Sequence, residues 1–258
     1  MAVQYEFPDA GGMETPPEIA GSDLLQHIIL QPVQALTYLQ YHPQQTWFVP
    51  VVLAILLVIA QALVTVPVAS GAATQQLQKQ LAQVPAEERA QIEQRLAQGN
   101  NMVLSAGTAI VTGLIGLWLH WLLRTGVIHL VARRMGGRHN LNQVFGVVVW
   151  TWIPQLLRGL LRTLSIAFSG TLTAHQGLSA YVAALGQRLP IGTYYALLSS
   201  AELDLFVLWS LMLLALGVLI VTELPRAKAL IVTAAYWGVA TALTLASTII
   251  GQLFSSRF

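Results

Sequence analysis

Five long runs of apolar residues, separated by shorter polar stretches, dominate the pattern of this chain. A bilayer core about 30 Å thick requires about 20 mostly apolar residues as α-helix, so runs of this length predict membrane spans. The alternation of apolar and polar residues expected of a membrane β-barrel is missing. We therefore predict an all-α polytopic membrane protein, a bundle of five transmembrane helices over residues 47–68, 102–123, 144–168, 203–221 and 229–253.

The second run does not end cleanly, because apolar residues resume after Arg124 and continue as far as Met135. A helix over 102–135 would be about 51 Å long and would have to tilt or protrude from the membrane. The other interpretation is a break near Thr125-Gly126, with the second piece at the interface. Gly136-Gly137 favours a helix end in both cases.

The region before the first span divides into two parts. Residues 1–22 are acidic and rich in Pro and Gly, which predicts a disordered tail. Residues 23–46 carry apolar side chains at three- and four-residue steps, which predicts an amphipathic juxtamembrane helix, kinked or restarted at Pro32. We expect it either along the cytoplasmic interface or packed on the bundle. Residues 47–258 then form the membrane domain.

The loop over 70–100 has a helical pattern of its own. It is rich in Gln, and Pro85 followed by Glu87 and Glu88 is typical of a helix start. The pattern predicts a short helical hairpin on the extracytoplasmic side. Its role is either that of a solvated connector or that of a docking surface for a partner.

Composition and charge support a membrane protein and exclude other classes. The chain is 55% hydrophobic and only 9% charged, with a formal net charge of +2. The few basic residues are too scattered for the basic stripe that nucleic acid requires. The absence of Cys removes disulfides, thiolate metal sites and cysteine nucleophiles.

The orientation is predicted from basic residues in short loops. Segments 125–141 and 223–228 are rich in Lys and Arg, whereas 70–100 and 164–201 are poor in them. This distribution places the N-terminus inside and the C-terminus outside. The basic residues of the first two segments are Arg133, Arg134, Arg138, Arg226 and Lys228. They either only fix the orientation during insertion or form one patch that binds anionic headgroups.

No motif of a catalytic or metal centre is present. The chain lacks His-Glu-x-x-His, Gly-x-Ser-x-Gly and a phosphate-binding Gly-rich loop with Lys. His120 and His129 are nine residues apart, which places them on different helix faces and predicts no shared metal. We interpret them as interfacial or hydrogen-bonded, and His139 as isolated. The pattern therefore predicts no enzyme, metal or cofactor.

Ionisable residues at membrane depth are rare and deserve an interpretation. Arg158 and Arg162 lie one turn apart toward the outer end of the third span, and Glu202 and Asp204 open the fourth span at the same level. They predict a structural ion-pair cluster that joins the two helices. The other interpretation is a charged pocket that binds a substrate or couples protons.

Small residues recur at four-residue intervals on the fifth span. Such a row lets helices approach closely in lipid. It predicts a helix-packing face, either within the bundle or in a subunit contact, and consists of Ala234, Gly238, Ala242 and Ala246.

Three stretches of the chain resemble the Yip-domain family, named for Ypt/Rab-interacting proteins. The first stretch is 31–40, followed by His42-Pro43 and 47–50. The second is 130–137, followed by Gln143 and Trp152-Ile153-Pro154. The third is 203–206, followed by Trp209, Gly217 and 226–229. The resemblance implies a five-span membrane protein with a cytoplasmic N-terminus. It supplies no catalytic residues.

The resemblance and the residues together favour a non-enzymatic accessory or scaffold protein. Family members act in vesicle traffic with small GTPases, and some bacterial members associate with ABC-type exporters. We expect the bacterial type, in the cell membrane, with the bilayer, other membrane proteins or further copies of the chain as partners. The alternative is a small transporter or channel that uses the cluster of Arg158, Arg162 and Asp204.

Overall fold

The described part of the chain is a bundle of α-helices. The computed structural model describes residues 21–42, 46–81, 102–172 and 205–255. Within these ranges every regular element is helical. The helices are α1 (Gly21–Leu30), α2 (Pro32–Tyr41), α3 (Phe48–Leu81), α4 (Met102–Arg134), α5 (Leu141–Trp150), α6 (Ile153–Ser169), α7 (Leu205–Thr222) and α8 (Arg226–Ser255).

Four helical stretches of the described residues are long and apolar enough to cross a membrane. They are Phe48–Lys79, Met102–Arg134, Leu141–Ser169 and Leu205–Thr222. These agree with the first four predicted runs and make the chain a multi-pass membrane protein. The fifth run lies within α8, which is not among the four, so the five-span arrangement stays a prediction.

Helix α4 is continuous from Met102 to Arg134, so the predicted break at Thr125-Gly126 does not occur. Thr125 and Ile128 both lie on its buried face, and packing continues across the Thr-Gly pair. The helix ends where predicted, and Gly136 takes a φ of 93° that favours glycine.

The third predicted span is two helices, which corrects its interpretation as one. α5 ends at Trp150, α6 begins at Ile153, and Thr151-Trp152 forms the turn between them. Pro154 explains the break, because it lacks the N–H that a continuous helix would direct to residue 150. An Asn140–Gln143 capping box starts α5, with Asn140 Oδ1 accepting from Gln143 N at 2.8 Å.

Helix α5 lies at the centre of the core. Val147, Val148, Val149 and Trp150 are all buried, and α2, α4 and α7 pack against this helix. Because these four residues are consecutive, they cover all sides of the helix, and this part of it is enclosed by protein. The core therefore forms around the first half of the third span.

The segment before the first span packs on this core as two helices. α1 and α2 meet at Gln31, and the second begins at Pro32, where the sequence predicts a kink or restart. Leu24, Ile28 and Leu36 are fully buried. Of the two placements left open for this segment, the structure shows packing on the bundle. Residues 1–20 and 82–101, which include most of the predicted tail and most of the predicted hairpin, lie outside the described residues. The last two residues of the predicted tail, Gly21 and Ser22, belong to α1.

Gly217 allows α7 to approach its neighbours closely. A Cβ at this position would clash with Cγ1 of Val147 and lie 3.3 Å from Cδ2 of Leu36. We expect Gly217→Ala to lower the free energy of unfolding by about 1–3 kcal/mol, the usual cost of overpacking. Unfolding in mixed micelles measures it.

The matched control for that substitution is Gly238→Ala on α8, where an added Cβ meets no atom within 4 Å. We expect this variant to unfold like the unmodified protein. Equal losses of stability in the two variants would contradict the packing assigned to Gly217.

Candidate functional site

The turn between α5 and α6 exposes backbone polar groups at membrane depth. The amide of Gln155 donates to the carbonyl of Trp152 at 2.9 Å, whereas a continuous helix would direct it to Thr151. The carbonyl of Thr151 instead accepts a hydrogen bond from Ser210 Oγ of α7 at 2.7 Å. Because lipid supplies no hydrogen bonds, such a break persists only where side chains satisfy it. α7 therefore supports the break.

Arg124 of α4 is buried beside this turn. Its side chain is 1% exposed, and Nη2 donates to Oγ1 of Thr151 at 3.2 Å. Its Cζ lies 5.5 Å from the ring centroid of Trp152 and 5.1 Å from that of Tyr236 on α8. Both are cation–π distances. The guanidinium thus joins α4, the turn and α8, and no carboxylate of the described residues pairs with it.

His120 lies one turn before Arg124 and continues the same cluster. Its Nε2 is 3.2 Å from the hydroxyl of Tyr236, and its ring centroid lies 4.4 Å from that of Trp152, with the two rings tilted by 47°. Of the two interpretations for this histidine, the structure shows the hydrogen-bonded one. We define the Arg124 cluster as His120, Arg124, Thr151, Trp152 and Tyr236.

Sequence reasoning missed the Arg124 cluster. It treated Arg124 as an interruption of an apolar run, although one signal was available in the spacing. The buried residues of α4 recur at three- and four-residue steps and include this arginine: Trp121, Arg124, Thr125, Ile128 and Ala132. Its ring partners come from distant parts of the chain, which spacing does not reveal.

A cavity of about 510 Å³ opens beside the cluster, between α3, α4 and α6. His120 and Trp152 of the Arg124 cluster are among the residues that line it. Arg158 and Arg162 line it from α6, together with the amides of Gln61 and Gln155. The described lining of the cavity thus includes polar and basic side chains, although the helices that enclose it are mostly apolar.

The predicted ion-pair cluster is only partly described. Arg158 is half-buried and Arg162 exposed, and both lie at the cavity. Glu202 and Asp204 lie outside the described residues. Their pairing with the two arginines stays a prediction.

Replacing Asp204 by Asn tests that pairing. If a carboxylate compensates an arginine at membrane depth, its removal should cost about 2 kcal/mol. We expect a lower melting temperature in detergent, and partial recovery when Asp204→Arg is combined with Arg158→Asp. A melting temperature that neither change affects would contradict the pair.

The five predicted basic residues lie at the opposite end of the bundle. All five side chains are exposed. Their two loops touch, because the amide of Arg138 donates to the carbonyl of Thr222 at 3.0 Å and Lys228 Nζ donates to that of Met135 at 2.9 Å. We call this surface, formed by Arg133, Arg134, Arg138, Arg226 and Lys228, the basic end.

His139 is not isolated, contrary to its sequence interpretation. The turn at Gly136 and Gly137 brings it back to α4, where its ring lies 4.9 Å from that of His129. Burial lowers the pKa of His139, and the charge of His129 adds to the effect. The described residues contain no group of three His, Cys, Asp or Glu side chains that could hold a metal.

The row of small residues on α8 faces away from the other described helices. Ala234, Gly238, Ala242 and Ala246 are all exposed. Large apolar side chains beside the row, including Leu230 and Leu243, are exposed as well. The sequence left two roles open for this face, packing within the bundle and a subunit contact. No described helix packs against the row.

The fold and the buried polar cluster define an all-α, multi-pass membrane protein. Residues 27–248 match the Yip1 domain, so the chain belongs to the Yip1 domain family. This confirms the resemblance found in the sequence. Comparison with curated proteins and with solved structures gave no match.

Proposed function

We propose that this chain is a non-enzymatic accessory or scaffold protein that binds other membrane proteins through the exposed face of α8. The observation that carries the proposal is the outward direction of Ala234, Gly238, Ala242 and Ala246. In lipid, helices associate where small residues permit close approach. Such a face suits a helix of another subunit. Family membership supports a role in protein interactions.

The setting we propose is a bacterial cell membrane, with five spans and the N-terminus in the cytoplasm. An ABC-type exporter is one class of partner that the family resemblance implies, and a membrane-trafficking or assembly complex is another. The basic end would then face the cytoplasm and the anionic headgroups of the inner leaflet. Each basic residue near such a surface contributes about 1 kcal/mol to the attraction.

Co-purification in mild detergent tests the scaffold role. We expect a stoichiometric membrane protein to be identified by mass spectrometry and to be lost when Gly238→Leu blocks the face. Val239→Leu is the matched control, since Val239 is a neighbouring exposed position. Unchanged recovery of the partner with Gly238→Leu, or the absence of any partner, would contradict the proposal.

Single cysteines test the orientation. Because the chain has no Cys, each introduced thiol is unique. We expect cysteines at Gln80 and Ser256 to react with a membrane-impermeant thiol reagent in intact cells, and one at Ala20 to be protected. Labelling of the cysteine at position 20 without permeabilisation would contradict the proposed orientation.

A small transporter or channel is the second candidate, and the cavity beside Arg158 and Arg162 favours it. A broken helix next to a polar cavity is a common arrangement of transporter binding sites. Asp204 would belong to the same cluster. Solute flux into liposomes that contain only this protein would favour this function over the first.

A further inference from the structure

The cavity between α3, α4 and α6 has a composition that is unusual for a gap between apolar helices. Small residues on all three helices line it, namely Ala54, Ala62, Ala109, Gly113, Gly116 and Gly159. The volume of about 510 Å³ lies in the range of small-molecule sites. A defect in packing between apolar helices would instead be lined by apolar side chains alone.

The polar groups of the cavity come from different helices and converge. Gln61 and Thr65 belong to α3, His120 to α4, and Gln155 to α6. The hydroxyl of Thr65 donates to the carbonyl of Gln61. The amide side chains of Gln61 and Gln155 can each both donate and accept hydrogen bonds in the cavity.

The charged residues that line the cavity in the described part of the chain are both basic. Arg158 and Arg162 line it one turn apart on α6, and each lining residue that the structure describes is neutral or basic. Behind His120 and Trp152 lies a further guanidinium, that of Arg124, 1% exposed and with its Nε lacking a hydrogen-bond partner. In surroundings of low dielectric constant these cations attract an anion far more strongly than in water.

We propose that this cavity binds an oxyanion, a phosphate ester or a carboxylate. Arg158 and Arg162 contact the anion, the amides of Gln61 and Gln155 hydrogen-bond to it, and Arg124 strengthens the positive potential from behind. A guanidinium pairs well with both kinds of oxyanion through parallel N–H donors. The ligand carries an organic part as well, since the volume exceeds that of a single phosphate. This site is independent of the partner binding proposed above.

Binding to the full chain in detergent tests the proposal. All arms use the Arg133→Gln/Arg134→Gln background, so that lipid held at the basic end contributes little. One arm adds phosphatidylglycerol, with phosphatidylcholine as the neutral comparison, and is measured by native mass spectrometry. The other adds inorganic phosphate or succinate and is measured by thermal stabilisation. Binding in the first arm identifies a lipid headgroup, and binding in the second identifies a free solute.

Substitutions then place the binding in the cavity. We expect Arg158→Gln/Arg162→Gln to weaken binding at least tenfold. Gly116→Leu keeps every charge and fills the cavity, because a Cβ there meets no atom within 4 Å, and it should weaken binding similarly. Gly71→Leu is the matched control on α3, also in open space, and should bind normally. If the double arginine variant fails to fold, the comparison of Gly116→Leu with Gly71→Leu shows whether the ligand binds in the cavity.

Two results would overturn the site. One is that none of the anionic probes binds. The other is that Gly116→Leu and Gly71→Leu bind equally well. The predicted partner of the arginines, Asp204, is an internal competitor for the same cations, so Asp204→Asn should tighten binding. Weaker binding in that variant would show that a carboxylate holds the ligand and would end the proposal.

Discussion

Replacing Trp150 by Ala is expected to lower the free energy of unfolding by about 3–5 kcal/mol, the usual loss for a fully buried tryptophan. Trp150 is 0% exposed and is the last residue of α5, directly before the break in the third span. Its Nε1 also donates to the carbonyl of Thr46 at 3.0 Å, which connects the residues just before α3 to the core. The variant loses both the packing and this connection.

Two further variants separate these contributions. Trp150→Phe retains most of the ring volume and loses the hydrogen bond. We expect it to lower the free energy of unfolding by about 1 kcal/mol for the hydrogen bond, plus a packing loss smaller than that of Trp150→Ala. Trp237→Ala on α8 is the matched control, because Trp237 is 38% exposed and lies next to Gly238 of the exposed row on α8. Unfolding in mixed micelles gives all three values. Similar losses for Trp150→Ala and Trp237→Ala would contradict the central place of α5.

The positions of the helices could be predicted from the sequence because the bilayer sets a minimum length for each apolar run. The fourth run, predicted over 203–221, is a helix from Leu205 to Thr222. The break at Thr151-Trp152 could not be placed in the same way, since the apolar pattern continues across it. Pro154 was visible, but a proline alone does not distinguish a kink from two separate helices.

The surroundings of each helix were harder to predict than the helix itself. The apolar periodicity of 23–46 fits burial against lipid and against protein equally well, and only the neighbouring α7 and α5 decide for protein. The approach of His139 to His129 depends on the backbone turn at Gly136. The Arg124 cluster depends on Tyr236, which is far away along the chain. Such contacts follow from tertiary packing, on which local spacing carries no information.

Arg124 is expected to contribute through its volume and its ring contacts more than through its charge. A charge at membrane depth costs about 2.5–3.5 kcal/mol on insertion scales. Cation–π contacts with the partly buried ring of Trp152 and the buried ring of Tyr236 contribute about 1–2 kcal/mol each and offset this cost. The net contribution of the charge is then near zero. A side chain of similar length without charge should therefore be tolerated.

The expected result is a large difference between two substitutions at this one position. Arg124→Met fills the same space and should unfold within about 1 kcal/mol of the unmodified protein, as replacement of buried charged groups by apolar ones often does. Arg124→Ala leaves a void beside the break and should lose about 2–5 kcal/mol. Arg133→Ala, an exposed arginine of the same helix, should change stability by no more than about 0.5 kcal/mol.

Unfolding of the three variants in one micelle composition makes the comparison direct. If Arg124→Met loses as much stability as Arg124→Ala, the charge itself holds the break through Thr151, and the balance argued above is wrong. If Arg124→Met keeps the fold, it also provides a stable protein in which the positive potential behind the cavity is reduced. Weaker binding of the anionic probes by that variant is then expected, because the remaining cations attract the anion less strongly.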